Sequence, residues 1–286
     1  MARPKLDMVV EVEDLKSSEG TEMPSKCTVS DMRKTFRSKT RIYDRLGLEY
    51  DLFLVDSKST DDPDWEEWRN SLKMTIGGHT FGGLLGFGGD NQSAHKHFCR
   101  FLGSEEKQEA NWFGKQAMQH GKEKEEVVKY HVETLGLVVD CYPGESLLYE
   151  LSLKADGHPI NICITPDLMN ADNVYEIKCP YYNADKFEHP LDYKNDVEAR
   201  NVKKYGCKLN PSWWLQAAFY AMITGKGYFT VIVCYYTTKT DQYMITYYDF
   251  GLDMASKLWL QTELGHILRN VAQPPKKKYK PSIHKE

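Results

Sequence analysis

Residues 147–179 hold three short runs rich in strand-forming residues: "LLYELSL" (147–153), "HPINICIT" (158–165) and "NVYEIKC" (173–179). The segments between them, "KADG" and "LMNADN", carry the Gly, Asn and Asp residues that reverse a chain. This spacing predicts antiparallel hairpins, and no other part of the chain narrows the fold as much. In the third run Glu176 and Lys178 flank Ile177. Strand side chains alternate, so Glu176 and Lys178 share one face while Ile177 points to the other, toward a core. A further acid, Asp167, follows the second run by two residues. Taken alone, these residues read as a surface ion pair on a solvated hairpin, an arrangement that contributes little.

The flanking segments supply helices. "DPDWEEWRNSL" (62–72) reads as a helix start, and the long run 109–136 as a helix capped at Gly136. "PSWWLQAAFYAMITG" (211–225) opens on Pro-Ser and closes on glycine, and a charged, loop-rich insertion covers roughly 183–209. "YFTVIVCYYT" and "YMITYYDF" form a strand pair across "TKTDQ". A last helix over 252–271 carries Leu260, Leu264, Ile267, Leu268 and Val271 on one face. The order predicts an α/β fold of the α+β type, with a mixed, largely antiparallel central sheet flanked by helices. The main domain is expected over 61–272. Residues 1–60, with the basic stretch "DMRKTFRSKTR", form an N-terminal extension, and 273–286 form a basic tail.

The formal net charge of −4 gives no global field that would attract a polyanion, so any nucleic-acid contact must come from a local patch. Seven widely spaced cysteines without a C-x-x-C pair argue against a zinc site or a disulfide framework and for a reducing, intracellular setting. No apolar run reaches membrane-spanning length, so no membrane partner is expected. The glycine-rich stretch 75–90 lacks the Gly-Lys-Ser/Thr ending of a nucleotide P-loop.

Metal-assisted phosphodiester hydrolysis needs hard oxygen ligands, a group that positions the attacking water, and positive charge beside the phosphate. Asp167 and Glu176 supply carboxylates for Mg2+ or Mn2+, Lys178 supplies the charge, and the Ile177 carbonyl is a further ligand candidate. Two carboxylates held together repel unless a cation lies between them. A lysine beside such a cation is expected to have a depressed pKa.

The pattern P-D-x8-E-x-K resembles the PD-(D/E)xK nuclease superfamily, and "EIKCPY" resembles its phage lambda exonuclease and YqaJ-type viral recombinase branch, with a restriction-endonuclease-like core. "QHGKEKEEVV" is similar to that family's helix motif, a glycine followed by a metal-site glutamate, here Gly121 and Glu125. Glu123 or Glu126 fit the acidic run as well, and a solvated helix face accounts for any of them. "WWLQAAFYAM" resembles the helix whose glutamine faces the active centre, here Gln216, where the alternative is a surface amide beside Trp213 and Tyr220. "WEEWRNSLKMTIGGHTFGGLLG" resembles the family's N-terminal element. This implies DNA-backbone contacts for Arg69, Thr75, Gly77 and Gly78, with an Arg69–Glu66 pair as the alternative for the arginine. Leu168 stands where the family carries glycine after the aspartate, and Gly77 or Gly78 where it carries serine.

The resemblance implies a Mg2+- or Mn2+-dependent exonuclease acting on duplex DNA ends, 5′ to 3′, in recombination, repair or viral DNA processing. It also implies a single-strand annealing protein as partner and ring-forming homo-oligomers. The alternatives are a structure-selective endonuclease or RNase on the same core, or a non-catalytic nucleic-acid-binding module. Lys276, Lys277, Lys278 and Lys280 read as a nuclear-import signal, a phosphate-binding arm or a solvated tail, so nucleus and cytoplasm both stay open.

Overall fold

A computed structural model describes residues 8–10, 40–43, 49–72, 74–87, 93–104, 111–134, 142–143, 145–155 and 158–272. The elements run β1 (Met8–Val10), β2 (Thr40–Tyr43), β3 (Glu49–Ser59), α1 (Trp65–Ser71), β4 (Thr75–Ile76), α2 (Gly78–Leu84), α3 (Ala94–Phe101) and α4 (Trp112–Thr134). They continue with β5 (Tyr142–Pro143), β6 (Glu145–Ala155), β7 (His158–Ile164), β8 (Leu168–Met169), β9 (Asn173–Lys178), α5 (Pro190–Tyr205) and α6 (Pro211–Thr224). The chain closes with β10 (Tyr228–Thr237), β11 (Gln242–Gly251) and α7 (Met254–Ala272). The expected C-cap at Gly136 and the basic tail lie outside the described residues.

The mixed α/β architecture is the one the sequence predicts, with the described strands divided between two sheets. One has the order β1-β11-β10-β9-β8-β5, the other β2-β3-β6-β7-β4. β6 and β7 form the expected antiparallel hairpin. The second predicted hairpin is different: β7 and β9 lie in separate sheets, and β9 pairs with the two-residue β8 on one side and runs parallel to β10 on the other. Thr165–Asp167 is therefore a crossing between sheets. Periodicity read both strands correctly but carries no information on which strand each one pairs with. β3 falls within the first sixty residues and pairs along its length with β6, so part of that segment belongs to the folded unit.

The main core lies between the sheets and is filled by α6, whose Leu215 and Ala217–Ile223 are all buried. A helix apolar all round is one that protein surrounds on every side. Its ends are well specified: Pro211 opens the first turn, the Asn210 side chain accepts from the Ser212 N–H at 3.0 Å, and Gly225 closes it at φ 74°. Phe81 of α2 stacks on Phe219 of α6 with centroids 4.4 Å apart.

β10 is buried along all but its first residue, as a central strand covered on both faces must be. Its alternate residues feed two different clusters. Phe229, Val231, Val233 and Tyr235 join the main core, while Ile232, Cys234 and Tyr236 join a smaller cluster containing Val128 and Val132 of α4. The segment expected to be loop-rich contains α5, sixteen residues long. Pro190 at its first turn and Gly206 at φ 78° after its end define it, and its buried stripe is narrow: Tyr193 and Val197, with Lys194 and Glu198 beside them. The charged outer face masks that stripe in the sequence.

Candidate active site

β8 and β9 pair antiparallel with Leu168 opposite Tyr175 and Met169 opposite Val174. Extending this register by one residue sets Asp167 opposite Glu176. Opposed residues of an antiparallel pair share a face, so Asp167, Glu176 and Lys178 emerge together. Leu168 and Ile177 emerge on the other face, and both are buried in the α4 cluster. The hairpin thus puts three charges on one side and an apolar footing on the other.

Each charged group is fixed by specific bonds. The Ile177 N–H donates to Asp167 Oδ2 at 2.6 Å. The N–H and C=O of one strand residue lie along the same strand edge, so the Ile177 carbonyl opens on the side of Asp167. Glu176 Oε1 accepts from the Lys178 ammonium and, at 2.5 Å, from the Gln216 amide. Gln216 Nε2 also reaches the Tyr220 hydroxyl at 3.2 Å. Glu176 is 1% exposed, and its second oxygen, Oε2, is buried without a protein partner. A buried carboxylate oxygen left unpaired is costly, and here, among charged groups, it leaves an acceptor open to a water or a cation.

Glu125 stands on α4 and adds negative charge that Asp167, Glu176 and Lys178 all feel. Its carboxylate is paired with Lys129 at 2.7 Å, one helical turn on, and Lys129 also reaches Glu126 at 3.3 Å. Loss of hydration pushes the Asp167 carboxyl well above its ordinary range, and Glu176 and Glu125 add to the rise while Lys178 and the Ile177 N–H oppose it. Asp167 retains some exposed area, but its carboxyl is closely surrounded by protein. Burial likewise raises Glu176 against the opposing pull of Lys178 and Gln216. The lowered Lys178 pKa expected beside a cation applies to the metal-bound site; without the cation the direction is set by the acids. Burial alone would lower its pKa, but Glu176 and Asp167, with Glu125, carry it upward.

The donor set fits a hard divalent cation in its chemistry: carboxylate and carbonyl oxygens, one of them without a partner, and acids that raise one another's pKa. Among the described residues no three His, Cys, Asp or Glu side chains already stand together as a cation cage. Glu125 is the member held aside, by Lys129.

The N-terminal element reaches the same place from the other flank. A Cβ on Gly78 would lie 2.5 Å from Gln216 Cγ and 2.8 Å from Tyr220 Cε1, so α2 crosses α6 at the residue that holds Glu176. Gly78 therefore has a packing role that its sequence reading did not include. A Cβ on Gly77 would lie 3.3 Å from Arg69 Nη2 and 3.2 Å from the Cys163 carbonyl, which places the Arg69 guanidinium against Gly77 rather than against Glu66. Thr75 sits in β4 opposite Asn161. The structure thus links Arg69, Gly77, Gly78, Gln216 and Glu176 by successive contacts, with Thr75 at the strand end beside them. Sequence reading missed Lys129 and Tyr220. Each lies four residues after a candidate, Glu125 and Gln216, and that helical spacing was the available signal.

No protein-family model matches the chain, and no curated protein does. Solved structures do. LHK-Exo, determined in complex with dAMP, is 17% identical over 72% of this chain and 92% of its own, with a TM-score of 0.43. A phage-related exonuclease from Haemophilus somnus 129PT is 13% identical over 72% of this chain and 97% of its own, with a TM-score of 0.42. SSO0001 is 12% identical over 74% of this chain and 84% of its own, with a TM-score of 0.36. The chemistry of the site rests on the side chains described above.

Proposed function

We propose that the chain is a divalent-metal-dependent nuclease that hydrolyses phosphodiester bonds of DNA from duplex ends. The observation that carries the reading is the convergence of Asp167, Glu176 and Lys178 at the head of the β8–β9 hairpin, with Glu176 Oε2 buried and unpartnered. Asp167, Glu176, the Ile177 carbonyl and Glu125 would hold Mg2+ or Mn2+, which supplies a Lewis acid for the phosphate and an acidified water when bound. The chain's own groups divide the remaining work. The Ile177 N–H and Gln216 hold the two carboxylates in register before substrate arrives. Lys178, hydrogen-bonded to Glu176, presents a cation to charge developing on the phosphate. Arg69 lies on the far side of Gly77 and Gly78, a position suited to a backbone phosphate of the DNA.

End-labelled linear duplex, with and without a 5′ phosphate, is the substrate that tests this. Mg2+- or Mn2+-dependent release of mononucleotides from linear ends, with closed circles left intact, is the expected result. Fragment ladders from closed circles would move the reading to an endonuclease. Salt-sensitive binding without cleavage under any divalent cation would overturn catalysis altogether.

A further inference from the structure

Beyond β9 the chain continues into Tyr181 and Tyr182, and their rings meet α4 at its N-terminal end. Phe113 lies 5.7 Å from Tyr181 and 6.4 Å from Tyr182 between ring centroids. Tyr181 is backed by the His120 ring at 4.9 Å, and His120 is itself buried. The Arg200 guanidinium lies 4.8 Å from the Tyr182 ring centre, held there by Asp196 at 2.8 Å. Phe113 is 46% exposed, Tyr182 55% and Trp112, beside Phe113, 74%.

A single exposed aromatic is unremarkable on a protein surface, but a cluster of them capped by a guanidinium is a patch with a defined chemistry. It offers flat apolar ring faces and a cation that pairs with phosphate while lying over a ring. We propose that this patch is a stacking platform for unpaired nucleotides next to the scissile phosphate, a reading that rests on the nuclease assignment and specifies the form of its DNA.

Position supports this occupant over others. Tyr181 follows Lys178 by three residues, so the platform lies within about 11 Å of chain from the lysine. Bases inside a duplex are covered by their neighbours, so a ring platform takes nucleotides freed from the stack or the outer face of a terminal pair, and tailed and blunt DNA separate the two. Arg200, ion-paired with Asp196, still offers a guanidinium fork whose remaining N–H groups can donate to a backbone phosphate. Tyr181, packed between Phe113 and His120, ties the platform to the helix that carries Glu125, so a nucleotide stacked there is registered against the site itself.

The test uses the full chain with Lys178→Ala to silence cleavage, at one fixed salt concentration. Anisotropy binding is measured on blunt duplex and on duplex with a short single-stranded tail of either polarity. 2-Aminopurine is placed at the first unpaired position. Tailed DNA of one polarity is expected to bind more tightly than blunt DNA and to show quenched 2-aminopurine. Tyr182→Ala and Phe113→Ala are each expected to weaken tailed binding roughly tenfold, well beyond their effect on blunt duplex, and to restore the fluorescence. Tyr182→Phe keeps both. Equal losses on tailed and blunt DNA, or no loss on either, overturns the proposal. In parallel digestions with the unsubstituted chain, divalent-dependent cleavage alongside unquenched 2-aminopurine in the Lys178→Ala chain removes the platform and leaves the nuclease. Quenching without divalent-dependent cleavage does the reverse.

Discussion

The two faces of β9 are held by opposite means. On one, Glu176 and Lys178 meet Asp167 and Gln216 in a buried polar cluster where one carboxylate oxygen has no partner. On the other, Ile177 and Leu168 meet Val128 and Val132 in an apolar cluster without charge. The first face carries electrostatic cost and the second supplies packing that offsets it. Functional sites persist in this way, with local frustration tolerated because the surroundings overdetermine the backbone.

The sharpest way to separate the faces is to remove charge from the polar one. Lys178→Ala and Glu176→Ala are each expected to lower divalent-dependent cleavage by at least about 100-fold, by analogy with loss of a single transition-state donor. Circular dichroism checks that both stay folded. Cleavage near the wild-type rate in either variant would contradict the assignment.

The apolar face should respond in stability first. Leu168→Ala opens a cavity between α4 and the sheet and is expected to cost about 2–5 kcal/mol in urea unfolding. Its effect on cleavage should be smaller than that of Lys178→Ala, because it removes packing and no charged group from the site. Gly78→Ala comes next, at about 1–3 kcal/mol from overpacking against Gln216 and Tyr220. Gly82→Ala is its control in the same helix, since a Cβ there meets nothing within 4 Å, and it should gain roughly 0.5–1 kcal/mol. Equal behaviour of the two glycine variants would show that the α2–α6 crossing does not position Gln216.

The smallest effect is the most diagnostic in sign. Asp167 and Glu176 are both held above the ordinary carboxylate range. The folded chain therefore binds more protons than the unfolded one between those raised values and about pH 4. Without divalent cation, stability should rise as pH falls through that window. Asp167→Asn should flatten the rise and increase the melting temperature at alkaline pH while cleavage is lost. A variant less stable than wild type at alkaline pH would show that the carboxylate is not under strain.

Much of this was legible in the residues. The alternation around Ile177 fixed which side chains share a face, and Pro211 and Gly225 marked both ends of α6. Gln216 could be placed on that helix, but not the contact it makes, since that depends on how α6 enters the core. Strand partners were not legible, because "HPINICIT" and "NVYEIKC" read as neighbours and the two-residue β8 that separates them is too short to leave a period. α5 was hidden by its charged face. The metal-free Lys178 shift was not legible, because it is a balance of burial against three acids, and a sequence gives their identities without their distances.

Leu168 gives the arrangement an unexpected property. Two of the three carboxylates are spaced by hairpin register, which changes only in whole-residue steps. The third rides on α4, which is seated through Val128 and Val132 in a cluster that includes Leu168. Swapping that leucine for isoleucine, methionine or valine would repack the cluster under α4, and with it the seat of Glu125, while the hairpin register of Asp167 and Glu176 stays the same. The site therefore has a fine adjustment in a residue that carries no charge and takes part in no chemistry, and metal preference could drift there without any ligand being replaced.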